Sequence, residues 1–200
     1  MTSNHDPRSV LIVEDESALA RVYADALDEE YEVTIVGTVA AAVASLPAAD
    51  LVVLDRKLPD GRADDVLDAM ADRDAMARVV MVTGVEPDTD IVSMPFAEYL
   101  VKPVRADDLL SRVRSVERRL AYDESLQELA SLVAKRETLR AEADESVTET
   151  EAFRHLDAKI DRLDGRVERT LTEFSHRDFR AAFRHLDAPV VAPDGGTRNL

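Results

Sequence analysis

The stretch SVLIVEDESALARVYADAL, residues 9–27, carries the pattern from which the fold follows. Ser9–Val13 is a short apolar run that breaks off at three acids, Glu14, Asp15 and Glu16. Leu19, Val22, Tyr23, Ala26 and Leu27 then recur at the three-and-four spacing of an amphipathic helix. The segment reads as a buried strand, an acidic loop and a helix.

The same alternation repeats down the chain. Glu32–Val36 precedes a helix over Val39–Leu46, capped by Thr38 and stopped by Pro47. Leu51–Leu54 precedes a helix over Asp64–Met70, and Val79–Val82 precedes a short, weak helical stretch broken by Pro87 and Pro95. Glu98–Val101 leads into a helix from Arg105. Five short apolar strands alternating with helices predict a doubly wound α/β fold, a five-stranded parallel sheet covered on both faces.

In such sheets ligands bind beyond the carboxyl ends of the strands, where strand order reverses. Glu14 and Asp15 follow the first strand, Asp55 the third, Thr83 the fourth, and Lys102-Pro103 the fifth. Three carboxylates, a hydroxyl and an ammonium therefore meet on one rim. Carboxylates crowded together repel, and a hard divalent cation such as Mg²⁺ relieves that repulsion. The competing reading makes the acids favourable charges at a helix N-terminus, with Asp15 or Ser17 merely capping it.

The motifs VLIVEDE (10–16), VVLDRKLP (52–59), MVTG (81–84) and YLVKP (99–103), in this order, resemble the CheY-like receiver domain of two-component response regulators. That resemblance implies Asp55 as phosphoacceptor. It implies Mg²⁺ held by Glu14, Asp15, Asp55 and the backbone carbonyl of Lys57. Thr83 and Lys102 would contact the phosphoryl oxygens, Thr83 and Tyr99 would form the switch, and the Lys102-Pro103 peptide would be cis. It also implies a sensor histidine kinase as partner, and no enzymatic turnover beyond self-phosphorylation and self-dephosphorylation. Lys57 stands where a haloacid-dehalogenase-like phosphatase needs a second aspartate. Ala63, with Gly61 two positions earlier, departs from the common receiver pattern and predicts a different bend after Asp55. The stretch between Thr83 and Tyr99 is too short for a full fourth helix, which puts the usual activated dimer in doubt.

The rest of the chain differs in charge and period. Residues 1–103 carry 8 basic and 21 acidic groups, and residues 104–200 carry 17 and 20. Leu109, Val113, Val116 and Leu120 continue one apolar stripe until Tyr122-Asp123-Glu124, which is expected to interrupt the helix. Ser125–Glu128 then reads as a capping box opening a second helix, Ala143–Thr148 as a turn, and Ser146–Glu149 as another capping box. Phe153, Leu156, Ile160, Leu163, Val167, Leu171 and Phe174 follow as the stripe of a long helix containing Gly165. An antiparallel hairpin results, with stripes that need the receiver, a second copy or a partner protein to cover them. The segment RRLAYDESLQELASLVAKRETL (118–139) resembles the HalX domain of haloarchaeal regulators.

The expected organisation is a disordered N-terminus over 1–8, a receiver over 9–121, a HalX-like hairpin with a short helix over 122–187, and a disordered tail over 188–200. The heptapeptide AFRHLDA occurs twice, at 152–158 and 182–188, and reads as a duplicated amphipathic turn. Arg112, Arg114, Arg118 and Arg119 form a basic cluster, but no helix-turn-helix pattern accompanies it, and pairing with nearby acids is the plainer reading. Direct promoter contact and a non-phosphorylated scaffold stand as the rival functions.

Composition bounds the rest. The chain has no cysteine, which excludes disulfides, zinc fingers and thiol catalysis. No apolar stretch reaches membrane-spanning length, so a soluble, cytoplasmic protein is expected. The net charge of −16, with 41 acidic side chains against 25 basic ones, fits a salt-loaded cytoplasm and equally an ordinary acidic soluble protein, which composition alone does not separate. At molar ionic strength the screening length falls to about 3 Å and such self-repulsion fades.

Overall fold

The computed structural model of the chain describes residues 8–73, 77–87 and 94–182. The expectations for residues 1–7, for the tail over 188–200 and for the second heptapeptide beyond Ala182 lie outside them, as does residue 88–93 of the weak helical stretch. Two compact units divide the chain, Met1–Glu117 and Arg118–Leu200.

In the first unit, strands β1 (Ser9–Val13), β2 (Glu32–Val36), β3 (Leu51–Leu54), β6 (Arg78–Thr83) and β7 (Glu98–Val101) form one sheet in the order β2-β1-β3-β6-β7. All pairings are parallel. A two-residue antiparallel ladder, β4 (Lys57–Leu58) with β5 (Gly61–Arg62), lies in the loop after Asp55. Helices α1 (Ser17–Leu27), α2 (Val39–Ser45) and α3 (Ala63–Asp72) alternate with the strands, and the first turns of α4 (Ala106–Glu142) follow β7. Pro47 falls inside a 3₁₀ turn over Leu46–Ala48, so α2 ends one residue before the expected Leu46.

The strands read as unbroken apolar runs because both faces are covered. Successive side chains point to opposite faces. Val10, Ile12, Val53, Val80 and Val82 pack with Tyr23, Leu27, Leu109 and Val113 on one face. Leu11, Val13, Val52, Leu54 and Met81 pack with Ala42, Val66 and Met70 on the other. Arg8, expected in the disordered N-terminus, is instead tied down. Its carbonyl accepts from Glu32 N at 3.2 Å, extending the β1–β2 ladder, and its guanidinium lies 3.6 Å from Glu117.

In the second unit, the rest of α4 is followed by α5 (Glu145–Thr148), α6 (Glu151–Glu173) and α7 (His176–Ala182). The expected interruption at Tyr122-Asp123-Glu124 does not occur: α4 is continuous. Tyr122 is buried on a seam with Val167 and Phe174, so the tripeptide has a buried face, and Ser125 is an interior residue of the helix rather than a cap. The second capping box is also displaced. Asp144 caps α5, and Thr150 caps α6 by accepting from Phe153 N at 3.2 Å. Gly165 sits within α6, and an added Cβ would meet only Arg169 at an ordinary 3.6 Å. Glu128 pairs with Lys159 at 2.6 Å, Arg136 and Arg140 each reach Asp157 at 3.8 Å, and Arg140 covers the Phe153 ring. Later α4 residues meet earlier α6 residues, which makes the hairpin antiparallel, as expected.

Candidate functional site

The sheet's own hydrogen bonds assemble the rim. Asp55 N donates to Val13 O at 2.9 Å and Glu14 N donates to Val36 O at 3.0 Å, carrying each ladder one residue past its strand. Lys102 N donates to Thr83 O at 2.8 Å. Glu14 and Asp55 are thereby held beside each other, and Lys102 beside Thr83, on the carboxyl ends of β1, β3, β6 and β7.

The side chains converge as the sequence pattern required. Carboxylate oxygens of Glu14, Asp15 and Asp55 lie within 4.8 Å of one another. Lys102 Nζ bridges two of them, at 2.7 Å from Glu14 Oε2 and 2.6 Å from Asp55 Oδ2. Glu14 and Asp55 are buried, whereas Asp15 is exposed. The capping alternative fails for Asp15 and Ser17: Glu16 is the N-cap of α1 and no side chain caps it.

Burial raises the Glu14 carboxyl above its ordinary pKa; the hydrogen bond and charge of Lys102 offset this only partly, and the neighbouring Asp55 charge adds to the rise. Burial also works against the Lys102 charge, yet hydrogen bonds to Asp55 and Glu14 more than reverse it and hold the ammonium above the usual lysine range. The rim is short of positive charge: one ammonium faces three carboxylates. Its donor set is all oxygen, and it is spaced for a hard divalent cation.

Thr83 is 1% exposed, and its Oγ1 accepts a long 3.4 Å hydrogen bond from Val85 N. The Tyr99 hydroxyl donates to Val85 O at 2.8 Å, and its ring packs on Phe96. Thr83 and Tyr99 thus share one partner residue, Val85. Lys57 N donates to Asp55 Oδ1 at 3.3 Å. The Lys102-Pro103 peptide is cis, as expected.

One support, Asp60, escaped the sequence reading. The Asp60 carboxylate accepts from Val39 N at 2.8 Å and Ala40 N at 3.1 Å, fastening the loop after Asp55 to the start of α2. Gly61 sits at a close approach: a Cβ there would stand 2.6 Å from Asp65 Oδ2 and 3.0 Å from Val39, so the Asp65 carboxylate would have to shift. Asp60-Gly61 is a recognisable turn pair in sequence, but its target on another element is not. Within the basic cluster, Arg114 pairs with Glu30 and Arg118 with Asp178, as the plainer reading held.

Comparison with known proteins identifies the families that the two units resemble. The response regulator receiver domain family matches residues 10–114, and the HalX domain family matches residues 118–183. A Haloferax volcanii protein described as a "Putative transcriptional regulator" is 38% identical over 112 residues, covering 56% of this chain and 19% of that protein. Sensory transduction protein RegX3 of Mycobacterium tuberculosis is 38% identical over 123 residues, covering 58% of this chain and 54% of that one. The chain thus spans at most about half the length of these relatives. A CheY-like response regulator receiver domain protein from Methanospirillum hungatei superposes with a TM-score of 0.50 at 28% identity, over 55% of this chain and 92% of that one.

Proposed function

The chain belongs to the response regulator receiver family, with a HalX domain behind the receiver, and from that premise we propose that Asp55 accepts phosphate from a sensor histidine kinase in a two-component phosphorelay. The observation that carries this reading is the Glu14–Asp55–Lys102 bridge beside Asp15. Asp55 forms the new P–O bond as the donor's P–N bond breaks, giving an aspartyl-phosphate. Glu14, Asp15 and Asp55, with the carbonyl of Lys57, would hold Mg²⁺, which supplies charge neutralisation for the incoming phosphoryl group. Lys102 and Thr83 bind phosphoryl oxygens, the first by charge and the second by its buried hydroxyl.

The switch follows from the shared partner. When Thr83 turns toward a phosphoryl oxygen it gives up the long hydrogen bond it accepts from Val85 N, and the Val85 carbonyl is the anchor of the Tyr99 hydroxyl. The event on Asp55 thus reaches the surface along β6 and β7. The receiver is a phosphoacceptor and not a turnover catalyst, and the protein works in a salt-rich cytoplasm. Regulation of transcription is the output that the relatives' names favour, with the helical unit engaging a second copy or a partner protein.

Intact-mass analysis after treatment with acetyl phosphate and Mg²⁺ tests the first step. A gain of about 80 Da is expected for the wild type and none for Asp55→Ala. An undiminished adduct in the variant, or none in the wild type, sinks the phosphoacceptor reading.

A further inference from the structure

The rim has a neighbour that the phosphate chemistry leaves unused. Tyr23 in α1 is 1% exposed, and its hydroxyl has no hydrogen-bond partner among the described residues. A buried, unpaired hydroxyl is a cost that phenylalanine at the same position avoids. Its packing places it under the site. Tyr23 lies in the cluster containing Ile12, Val53 and Leu100. Two residues further along each strand, and so on the same sheet face, stand Glu14, Asp55 and Lys102. Helical side chains lean toward the N-terminus of their helix, and α1 begins at Ser17, directly after the acidic loop. The ring therefore reaches back along that face toward the rim.

The charges of the rim act on this hydroxyl. Burial raises the Tyr23 pKa; among the charges acting on it Lys102 comes first and opposes that rise, followed by Glu14, Asp55 and Glu16. The ammonium is the charge that bears most on this oxygen.

We propose that the Tyr23 hydroxyl is a positioning group for Lys102, a buried neutral acceptor for the ammonium when a divalent cation takes over Glu14 and Asp55. The inference rests on the reading of the rim as a Mg²⁺ site. Lysine has three N–H donors, and Glu14 and Asp55 engage two of them. A cation entering between the carboxylates competes for the oxygens that Lys102 now holds. An ammonium displaced inside this pocket needs an acceptor that is not itself a cation ligand, and the hydroxyl meets that need. With phenylalanine in its place, Lys102 would keep its grip on the carboxylates and the cation would bind less well.

Calorimetric titration of the full chain with MgCl₂ tests this in the wild type, Tyr23→Phe, Lys102→Met and the double variant. Tyr23→Phe is expected to weaken Mg²⁺ about tenfold, the size of one hydrogen bond to a charged group. It is expected to have no such effect in the Lys102→Met background. On Mg²⁺ addition the Lys102 side-chain ¹⁵N resonance should shift in the wild type and shift less in Tyr23→Phe. A merely structural tyrosine predicts a raised thermal midpoint in Tyr23→Phe with unchanged Mg²⁺ affinity, and that result overturns the proposal. So does an equal loss of affinity with and without Lys102. If the wild type binds no Mg²⁺, the reading of the rim fails first and takes the proposal with it; if it binds and only the Tyr23 effect is missing, the rim stands and the proposal alone falls.

Discussion

The two units use charge in opposite ways. In the receiver unit the interior is apolar on both faces of the sheet, and the buried carboxylates of Glu14 and Asp55 are gathered with Lys102 at one rim. In the helical unit opposite charges link α4 to α6, Glu128 with Lys159 and Asp157 between Arg136 and Arg140, alongside a thin apolar cluster of Tyr122, Val167 and Phe174. Charge imbalance follows the same division, net −13 over residues 1–103 against −3 over residues 104–200. One unit concentrates charge where chemistry needs it, and the other uses charge to register two helices.

The sharpest break of this comparison is a cavity. Leu54 is fully buried, and Leu54→Ala is expected to cost about 2–5 kcal/mol in urea unfolding. Leu129 only flanks its seam partly buried, and Leu129→Ala is expected to cost about 1 kcal/mol. Equal losses would show that the seam is as tightly packed as the sheet.

Titration separates the units by sign. The Glu14 pKa is raised above 4.5, so the stability it contributes is complete below pH 4.5 and is lost as pH climbs through the folded value. In the helical unit, the hydrogen bond from Lys159 lowers the Glu128 pKa below 4.5, and a backbone hydrogen bond from Ser146 lowers the Asp144 pKa below 3.8. Their stability is present above those values and lost as pH falls. Without Mg²⁺, Glu14→Gln is therefore expected to raise the thermal midpoint at pH 7, with the gap closing toward pH 4.5. If the rim holds Mg²⁺ as proposed, the cation is expected to stabilise the wild type and to leave Glu14→Gln unchanged. A lower midpoint for Glu14→Gln at pH 7 would mean that the bridge to Lys102 outweighs the burial of Glu14.

Helix caps give a smaller contrast. Thr150 caps α6, and Thr150→Ala is expected to cost about 1 kcal/mol. Thr38 caps α2 by accepting from Ala41 N at 3.2 Å, but Asp60 already satisfies Val39 N and Ala40 N. Thr38→Ala alone should cost about half as much, and the full cap penalty should appear only in combination with Asp60→Ala. Chemical denaturation of the four variants measures this coupling, and additive losses would show that the two caps act independently.

What the sequence made legible depended on how local its cause was. The five strands were plain because burial on both faces leaves no polar interruption, and the rim was plain because its residues end those strands. The break expected at Tyr122 failed because a polar tripeptide in a helix can still turn one residue inward, here toward Phe174 with ring centroids 5.3 Å apart. The capping box expected at Ser146–Glu149 failed because the chain turns later than the pattern predicts, and Thr150 opens α6 by accepting from Phe153 N. Tyr23 looked like one more apolar stripe residue. Only its unpaired hydroxyl and the packing of its ring with Ile12, Val53 and Leu100, each two residues before Glu14, Asp55 and Lys102 on its strand, distinguish it, and that grouping joins positions far apart in the chain.

The faintest expected effect bears most directly on the division of charge. Asp157 is partly buried between Arg136 and Arg140, and Asp157→Asn is expected to cost about 0.5 kcal/mol at low salt. Raising ionic strength from 0.1 M to 1 M shortens the screening length from about 10 Å to about 3 Å. The pairing should then be worth less, and the cost of Asp157→Asn should fall toward nothing. The same salt should stabilise the receiver unit, because the repulsion among its surplus acids is screened over the same range. Hydrogen exchange at both salt concentrations reads the units separately: protection should rise across β1, β3 and β6 while the cost of Asp157→Asn in α4 and α6 disappears. If both units gained protection equally and Asp157→Asn remained costly at 1 M, charge would not be organising the two halves differently, since a surplus that repels and a pairing that attracts must respond to screening with opposite sign.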